Sequence, residues 1–245
     1  MKVVIIVQAR MTSTRLPGKV LQPVLGKPLL EYQIERLQRV RLADEIVIAT
    51  TTNATDDSIV KLCDRLSVSY FRGSEADVLA RYHGAATEHN ADVIVRVTSD
   101  CPLIDPQVID RTIQYYLDRT DEFDYVANCL KRTYPRGMDT EVFSFTALNE
   151  AFLEATAQPD REHVTPFIHR QPTRYNLGQV LYSEDCSQHR WTVDTPEDFA
   201  LIDKILKAIY PVNLEFSLED CLYLLNRYPE WSKINAHIEQ KQYGE

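Results

Sequence analysis

Glycine is scarce in this chain, at 7 of 245 residues, and cysteine is scarcer, at 5. A composition so poor in glycine and otherwise ordinary excludes collagen, low-complexity linkers and a disordered chain. Cys63, Cys101, Cys129, Cys186 and Cys221 are odd in number and form no CxxC pair. They support neither a disulfide framework nor a thiolate zinc site, and reduced thiols are expected. Long apolar runs are missing too: the opening run Val3 to Val7 stops at Gln8, too short for a membrane span or a signal-peptide core. Positive charge is in deficit, with 27 Lys and Arg against 36 Asp and Glu, a net charge of −9. A phosphate backbone attracts positive surfaces, so nucleic acid is not an expected partner. The expected setting is cytoplasmic, and any anionic ligand must meet a local basic pocket.

What is present is periodic. Val3 to Val7, Ile46 to Ala49 and Val93 to Val97 are short β-branched runs, and their continuous apolarity predicts strands buried on both faces. Between them, Leu29, Leu30, Ile34 and Leu37 recur at helical spacing after Pro28, as do Ile59, Leu62, Cys63 and Leu66 after Asp56. This is βαβ alternation. A helix is expected from Pro106 with Asp105 as its cap, and another from Pro196, where Thr195 supplies a hydroxyl cap and Glu197 and Asp198 meet the positive end of the dipole. Strands are expected near Phe123 to Ala127, Thr140 to Phe143 and His189 to Val193. Helices are expected over Phe145 to Thr156, Leu218 to Arg227 and Glu230 to Gln240.

The segment Gln8 to Lys19, QARMTSTRLPGK, leaves the first strand carrying Arg10, Arg15 and Lys19 among Thr12, Ser13, Thr14 and Gly18. Cations, short donors and a tight turn at the end of a parallel strand suit a polyphosphate, although a solvated basic loop reads the same way. Neither GxxxxGK[ST] nor GxGxxG occurs here, so the P-loop and dinucleotide-binding readings lose their main support. Gly18 and Gly26, two of the chain's seven glycines, both fall early and point to backbone that other residues would not tolerate, although either could form an ordinary turn. Asp100 follows the third predicted strand, on the rim where open α/β sheets bind ligands, and could hold Mg²⁺ through oxygen. Asp194 ends another predicted strand. It reads equally as a ligand converging on the same metal and as a helix cap.

The series QARMTSTRLPGK, RGSEADVLARY, SDCPLID, RGMDTEVFSFTAL, REHVTPFI and WTVDTPEDF, in that order over residues 1 to about 210, resembles the sugar-activating cytidylyltransferases. It is similar to the CMP-sugar-acid synthetases and closer to the branch containing the spore coat polysaccharide protein SpsF. Where CMP-Kdo synthetases carry a GDEP-like motif, this chain has Ser99-Asp100-Cys101-Pro102, which places Kdo itself in doubt. The resemblance implies a three-layer α/β/α nucleotidyltransferase fold with a mostly parallel, mixed sheet. It implies a domain over 1–210 in which 123–182 binds the acceptor and dimerises, and a helical extension over 211–245. The implied reaction is attack of an acceptor oxygen on the α-phosphate of CTP. Arg10, Lys19 and Asp100 would be catalytic, and Arg15 a weaker triphosphate contact. Val7, Gln8, Ala9, Thr98 and the Arg72-Gly73-Ser74 turn would hold the nucleotide, and Asp100 and Asp194 the Mg²⁺. A sugar acid or sugar phosphate would be the second substrate and a homodimer the expected assembly.

Acceptor contacts are expected in the less regular second half. Arg136, Asp139 and Glu141 cluster in one segment and Arg161, Glu162 and His163 in another, where the same residues could equally form a strand's outer edge and a solvated helix face. His163 could assist deprotonation. His189 and Arg190 are positional candidates. Two other functions fit an α/β nucleotide fold: a glycosyltransferase, although no DxD surrounds Asp100, and a nucleotide-binding protein without catalysis.

Overall fold

The computed structural model describes residues 1–240. Its β-branched runs form the middle of a seven-stranded sheet: β1 (Val3–Gln8), β4 (Glu45–Thr51), β5 (Ser69–Gly73), β6 (Val93–Thr98), β7 (Tyr125–Ala127), β8 (Glu141–Ser144) and β9 (Leu177–Gln179). The strand order is β5-β4-β1-β6-β8-β7-β9. The first four strands are parallel, β8 runs antiparallel to both neighbours, and β9 is parallel to β7. A short ribbon, β2 (Pro23–Val24) with β3 (Lys27–Pro28), stands apart.

The helices are α1 (Leu29–Leu37), α2 (Asp57–Leu66), α3 (Val78–Glu88), α4 (Pro106–Leu117), α5 (Phe145–Glu154), α6 (Gln158–His163), α7 (Pro166–His169), α8 (Pro196–Ile209) and α9 (Leu218–Arg227). Successive strand side chains point to opposite faces, so one run of apolar residues supplies two cores. Val3, Ile5 and Val7 of β1 pack with α1, α2, α4, α8 and α9. Val4 and Ile6 pack on the other face with α3, α5 and Ile168 of α7. This is the three-layer arrangement with a mixed sheet. Leu218, Cys221 and Leu225 of α9 are buried in the first of these cores, so the segment after Pro211 continues the packing of the preceding chain.

Local start signals hold. Asp105 accepts the Gln107 amide at 2.7 Å at the head of α4. Thr195 and Asp198 form a reciprocal capping box on α8. Two expectations are corrected. Residues 189 to 193 form no strand, only a single bridge between Arg136 and Arg190. The Trp191 amide donates to Arg136 and the Val193 amide to Asp100, so the segment's backbone bonds go to two different loops. Residues 230 to 240 contain only one 3₁₀ turn, Trp231–Lys233. Asn235 is buried and its amide donates to the Arg190 carbonyl at 2.9 Å and to Asp198 at 2.8 Å, tertiary bonds that replace a continuing helix. Strand β5, helices α3, α6 and α7, and strand β9 were not anticipated.

Candidate active site

From β1 the chain crosses to β4 on one side, and after β5 it returns to place β6 on the other side of β1. The strand order therefore reverses between β1 and β6, the place where open α/β sheets leave a crevice beyond the strand ends. A cleft of about 610 Å³ opens there, lined by Gln8 and Ala9 at the end of β1 and by Thr98, Ser99 and Asp100 at the end of β6. This volume is in the range of small-molecule sites.

The basic loop after β1 is built into that cleft. The Met11 amide donates to the buried Asp56 carboxylate at 2.8 Å, and the Gly18 amide closes back on Met11 at 2.9 Å. Gly18 has φ 70, the left-handed conformation that glycine adopts without a Cβ clash. The turn that follows buries Val20 and directs Lys19 inward. Arg10 pairs with Glu75 at 3.4 Å, and Glu75 also accepts from the Thr12 hydroxyl and, at 2.5 Å, from Asn53. Glu75 thus clasps the loop to the segment after β5.

Lys19 Nζ donates to Asp100 Oδ2 at 3.0 Å and to Asp194 Oδ1 at 2.8 Å. Burial alone would lower the lysine's pKa, but the two carboxylates more than offset this and raise it. Burial would likewise raise Asp100; Lys19, with the Thr98 hydroxyl donating at 2.6 Å, holds it below the ordinary carboxylate value. Asp194 also receives Arg15 at 3.0 Å and Arg190 at 2.8 Å. Arg190 is held by Asp198, which has no exposed surface and also accepts the Asp194 amide at 3.0 Å. Asp194 is therefore a residue with a fixed orientation rather than the helix cap, a role taken by Thr195.

The cleft's other wall comes from the second half of the chain. Glu141 and Arg96 form a buried ion pair, with Tyr125 and Thr165 donating hydroxyls to Glu141 at 2.6 and 2.7 Å. Burial works against Glu141's charge, yet Arg96 and the hydroxyls bring its pKa below the usual value. Arg96 also donates to the Gln8 side chain at 3.1 Å, linking the two walls. Val164 takes φ 73, an uncommon conformation for a β-branched residue that costs of order 1–3 kcal/mol. Its neighbours His163 and Thr165 both line the cleft, as does His169. Burial lowers the pKa of His163 and His169, which favours the neutral form of both imidazoles.

Of the residues singled out in the sequence, Gln8, Ala9, Arg10, Arg15, Lys19, Thr98, Asp100, Arg136, Glu141, His163 and Asp194 line this one cleft. Val7 is buried in the sheet. Arg72 turns toward the carbonyls of Thr51 and Asn53, both at 2.8 Å, and toward Asp57. Gly73 faces the Arg81 side chain, and the Ser74 hydroxyl accepts the Asp77 amide at 3.1 Å. Asp139 pairs with Arg132 and Arg161 with Asp77. Arg81, Arg96, Arg132 and His169 line the cleft without having been singled out; they lie in two helices, a strand and a loop with no local signal of a site.

Asp100 and Asp194 match in number and donor type the one or two carboxylates by which Mg²⁺ is usually held together with substrate phosphates, and in this structure their charges are met by Lys19, Arg15 and Arg190. Among the described residues no three His, Cys, Asp or Glu side chains gather, so an all-protein cage is not formed. Arg10, Arg15 and Lys19 thus gather in this cleft beside two carboxylates, side chains whose chemistry suits an anion.

Known proteins share this frame. SpsF of Bacillus subtilis is 34% identical over 239 residues, covering 93% of this chain and 95% of that protein. The 3-deoxy-manno-octulosonate cytidylyltransferase of Geobacter sulfurreducens is 36% identical over 121 residues, 46% of this chain and 44% of that one. The solved structure of a cytidylyltransferase from Leptospira borgpetersenii superposes with a TM-score of 0.91 at 33% identity, over 99% of this chain and all of that one. The sequence profile of the family described as Cytidylyltransferase matches residues 4–228, and the chain belongs to that family.

Proposed function

We propose that this enzyme moves a cytidylyl group from CTP to an oxygen of a small sugar acid or sugar phosphate, with Mg²⁺ and with release of pyrophosphate. The observation that carries this reading is the Lys19 ammonium joining Asp100 to Asp194 at the strand-order reversal, with Arg10 and Arg15 alongside. The acceptor oxygen bonds to the α-phosphorus as the bond from that phosphorus to the pyrophosphate oxygen breaks, and pyrophosphate leaves with the electron pair. Such transfers depend on alignment and charge neutralisation. Arg10, Arg15 and Lys19 bind the triphosphate, and Lys19 offsets charge that grows on the leaving group. Asp100 and Asp194 hold Mg²⁺, which when bound neutralises phosphate oxygens.

Gln8, Ala9 and Thr98 lie on the nucleotide side. Arg136 faces the acceptor: it lines the cleft and, among the described residues, makes no ion pair. Its guanidinium suits a carboxylate or phosphate. A phosphate acceptor attacks as its oxyanion, and a hydroxyl acceptor gives its proton to a neutral imidazole, His163 or His169. The reading includes a homodimer formed through segment 123–182, where Leu130, Leu153 and Leu181 are exposed. A monomer by light scattering would remove that part.

Pyrophosphate release is the assay. CTP is offered with panels of 2-keto sugar acids and sugar phosphates, before and after chelation of divalent metal. Release is expected only with a matching acceptor, to stop on chelation and to return with Mg²⁺. Equal turnover with UTP or dTTP would overturn the choice of base.

A further inference from the structure

A second groove, of about 480 Å³, lies between the end of α1, the start of α4 and the segment before α9, and its lining shares no residue with the cleft. Arg39, Arg41 and Arg111 line it, and the Arg36 guanidinium stacks 3.9 Å above the ring of Phe216, one of its walls. Among the described residues none of these four arginines makes an ion pair. Arg39 donates to the Leu214 carbonyl at 2.7 Å, Arg111 to the Tyr134 hydroxyl at 3.2 Å, and Arg36 Nε to the Ile104 carbonyl at 2.6 Å. The two terminal nitrogens of Arg36 are buried without a partner.

The groove's acids do not neutralise these guanidinium groups by contact. Asp105 accepts the amides of Gln107 at 2.7 Å and Leu218 at 2.6 Å, serving the first turns of α4 and α9 together. Asp110 accepts the amides of Arg41 and Leu42, both at 2.9 Å. Only Glu215 remains on the lining. In the cleft, Arg10, Arg15, Lys19, Arg96 and Arg132 each hold a carboxylate, while Arg81 and Arg136 make no ion pair among the described residues. Three arginines that make no ion pair line this concavity and the buried Arg36 backs its Phe216 wall, so an anion entering it would meet guanidinium donors not already spent on a carboxylate.

We propose that this groove is a second anion site, built for a phosphoryl group. Planar guanidinium forks match the oxygens of a phosphate, and arginine offers several at once. The site adjoins the segment Asp100 to Asp105: Arg36 grips Ile104, and Asp105 caps the helix that this segment enters. A ligand in the groove therefore sits against the same short segment that positions Asp100.

Calorimetric titration of the full chain with inorganic pyrophosphate, inorganic phosphate and CMP, in separate arms, tests this. The Lys19→Ala variant removes strong binding in the cleft, and a binding event is expected to survive in it for at least one arm. Adding Arg41→Ala and Arg111→Ala should weaken that event about ten-fold or more, with an unchanged melting temperature. If the alanine variant is unfolded, Arg41→Lys with Arg111→Lys keeps the charge but loses the forks, and a weaker event is again expected. No surviving event in any arm, or one unchanged in a folded groove variant, overturns the proposal. These outcomes are independent of CTP turnover. The arm that binds most tightly identifies the source of the phosphoryl group.

Discussion

Lys19 and Asp194 stand 2.8 Å apart, nitrogen to oxygen, although they come from opposite ends of the chain, and the same ammonium reaches Asp100 at 3.0 Å. One side chain from the loop after β1 thus sets the distance between two carboxylates. Removing it leaves them facing each other with one countercharge fewer. Lys19→Ala is expected to lower kcat/KM for CTP about 100-fold, or about 2.7 kcal/mol of transition-state stabilisation. Lys19→Arg is expected to recover part of the loss. Pyrophosphate-release kinetics give the ratio, and a rate within about three-fold of the parent would take Lys19 out of the reaction.

The Arg96–Glu141 pair makes stability depend on acid. Glu141's pKa is depressed in the folded chain, so the unfolded chain binds the proton more readily. Its contribution is present above the ordinary glutamate value of 4.5 and is lost as pH falls through the lower folded value. Urea unfolding of the parent and Glu141→Gln should therefore differ most near pH 7 and converge below that window. Glu141→Ala leaves Arg96 without its carboxylate on the cleft wall, with only Gln8 among the described residues to accept from it, and should cost about 2–3 kcal/mol at neutral pH.

Gly137 is the more demanding of two turn glycines. Its φ is 102, and a Cβ there would lie 2.8 Å from the Trp191 carbonyl carbon and oxygen. Those atoms are backbone and cannot rotate away. Gly18, at φ 70, meets only the Met11 side-chain tip at 3.4 Å. Gly137→Ala should lower the melting temperature well beyond Gly18→Ala, whose cost is about 1–2 kcal/mol. Equal melting temperatures would contradict the steric argument.

Asp198 carries four tasks: it completes the α8 capping box with Thr195, fixes Arg190, and accepts the Asp194 and Asn235 amides. Burial would raise its pKa, but Arg190 and Asn235 lower it on balance. Asp198→Ala leaves Arg190 with Asp194 as its remaining carboxylate and is expected to cost about 3–5 kcal/mol. Asp198→Asn keeps a capping oxygen and should cost less. In both variants kcat should fall more than KM rises, because Asp194 loses its orientation. Unfolding curves and steady-state kinetics separate the two effects, and an unchanged kcat would confine Asp198 to a structural role.

The elements legible in the sequence are those whose cause is contiguous. The β-branched runs at Val3, Ile46 and Val93 gave strands buried on both faces, and Asp105-Pro106 and Thr195-Pro196 marked helix starts to the residue, because a cap acts on amides two or three positions away. The loop from Gln8 to Lys19 and the two aspartates declared a site through residue type and order. In the segment 189–193, expected as a strand, the apolar residues Trp191 and Val193 are buried. Its amides nevertheless bond to Arg136 and Asp100, partners that local pattern does not encode.

What the chain's own order of residues determined was the alternation of strand and helix, the starts of its principal helices and the chemical character of the loop after β1. Only the tertiary structure decided that Lys19 lies between Asp100 and Asp194, that Arg72 turns away while Arg81 and Arg96 enter the cleft, and that Arg39, Arg41 and Arg111 line a second groove. The physical reason is range. Propensity, capping and periodicity act over a few residues, whereas ion pairs and pocket walls depend on which strands lie side by side and on which charges burial forces together.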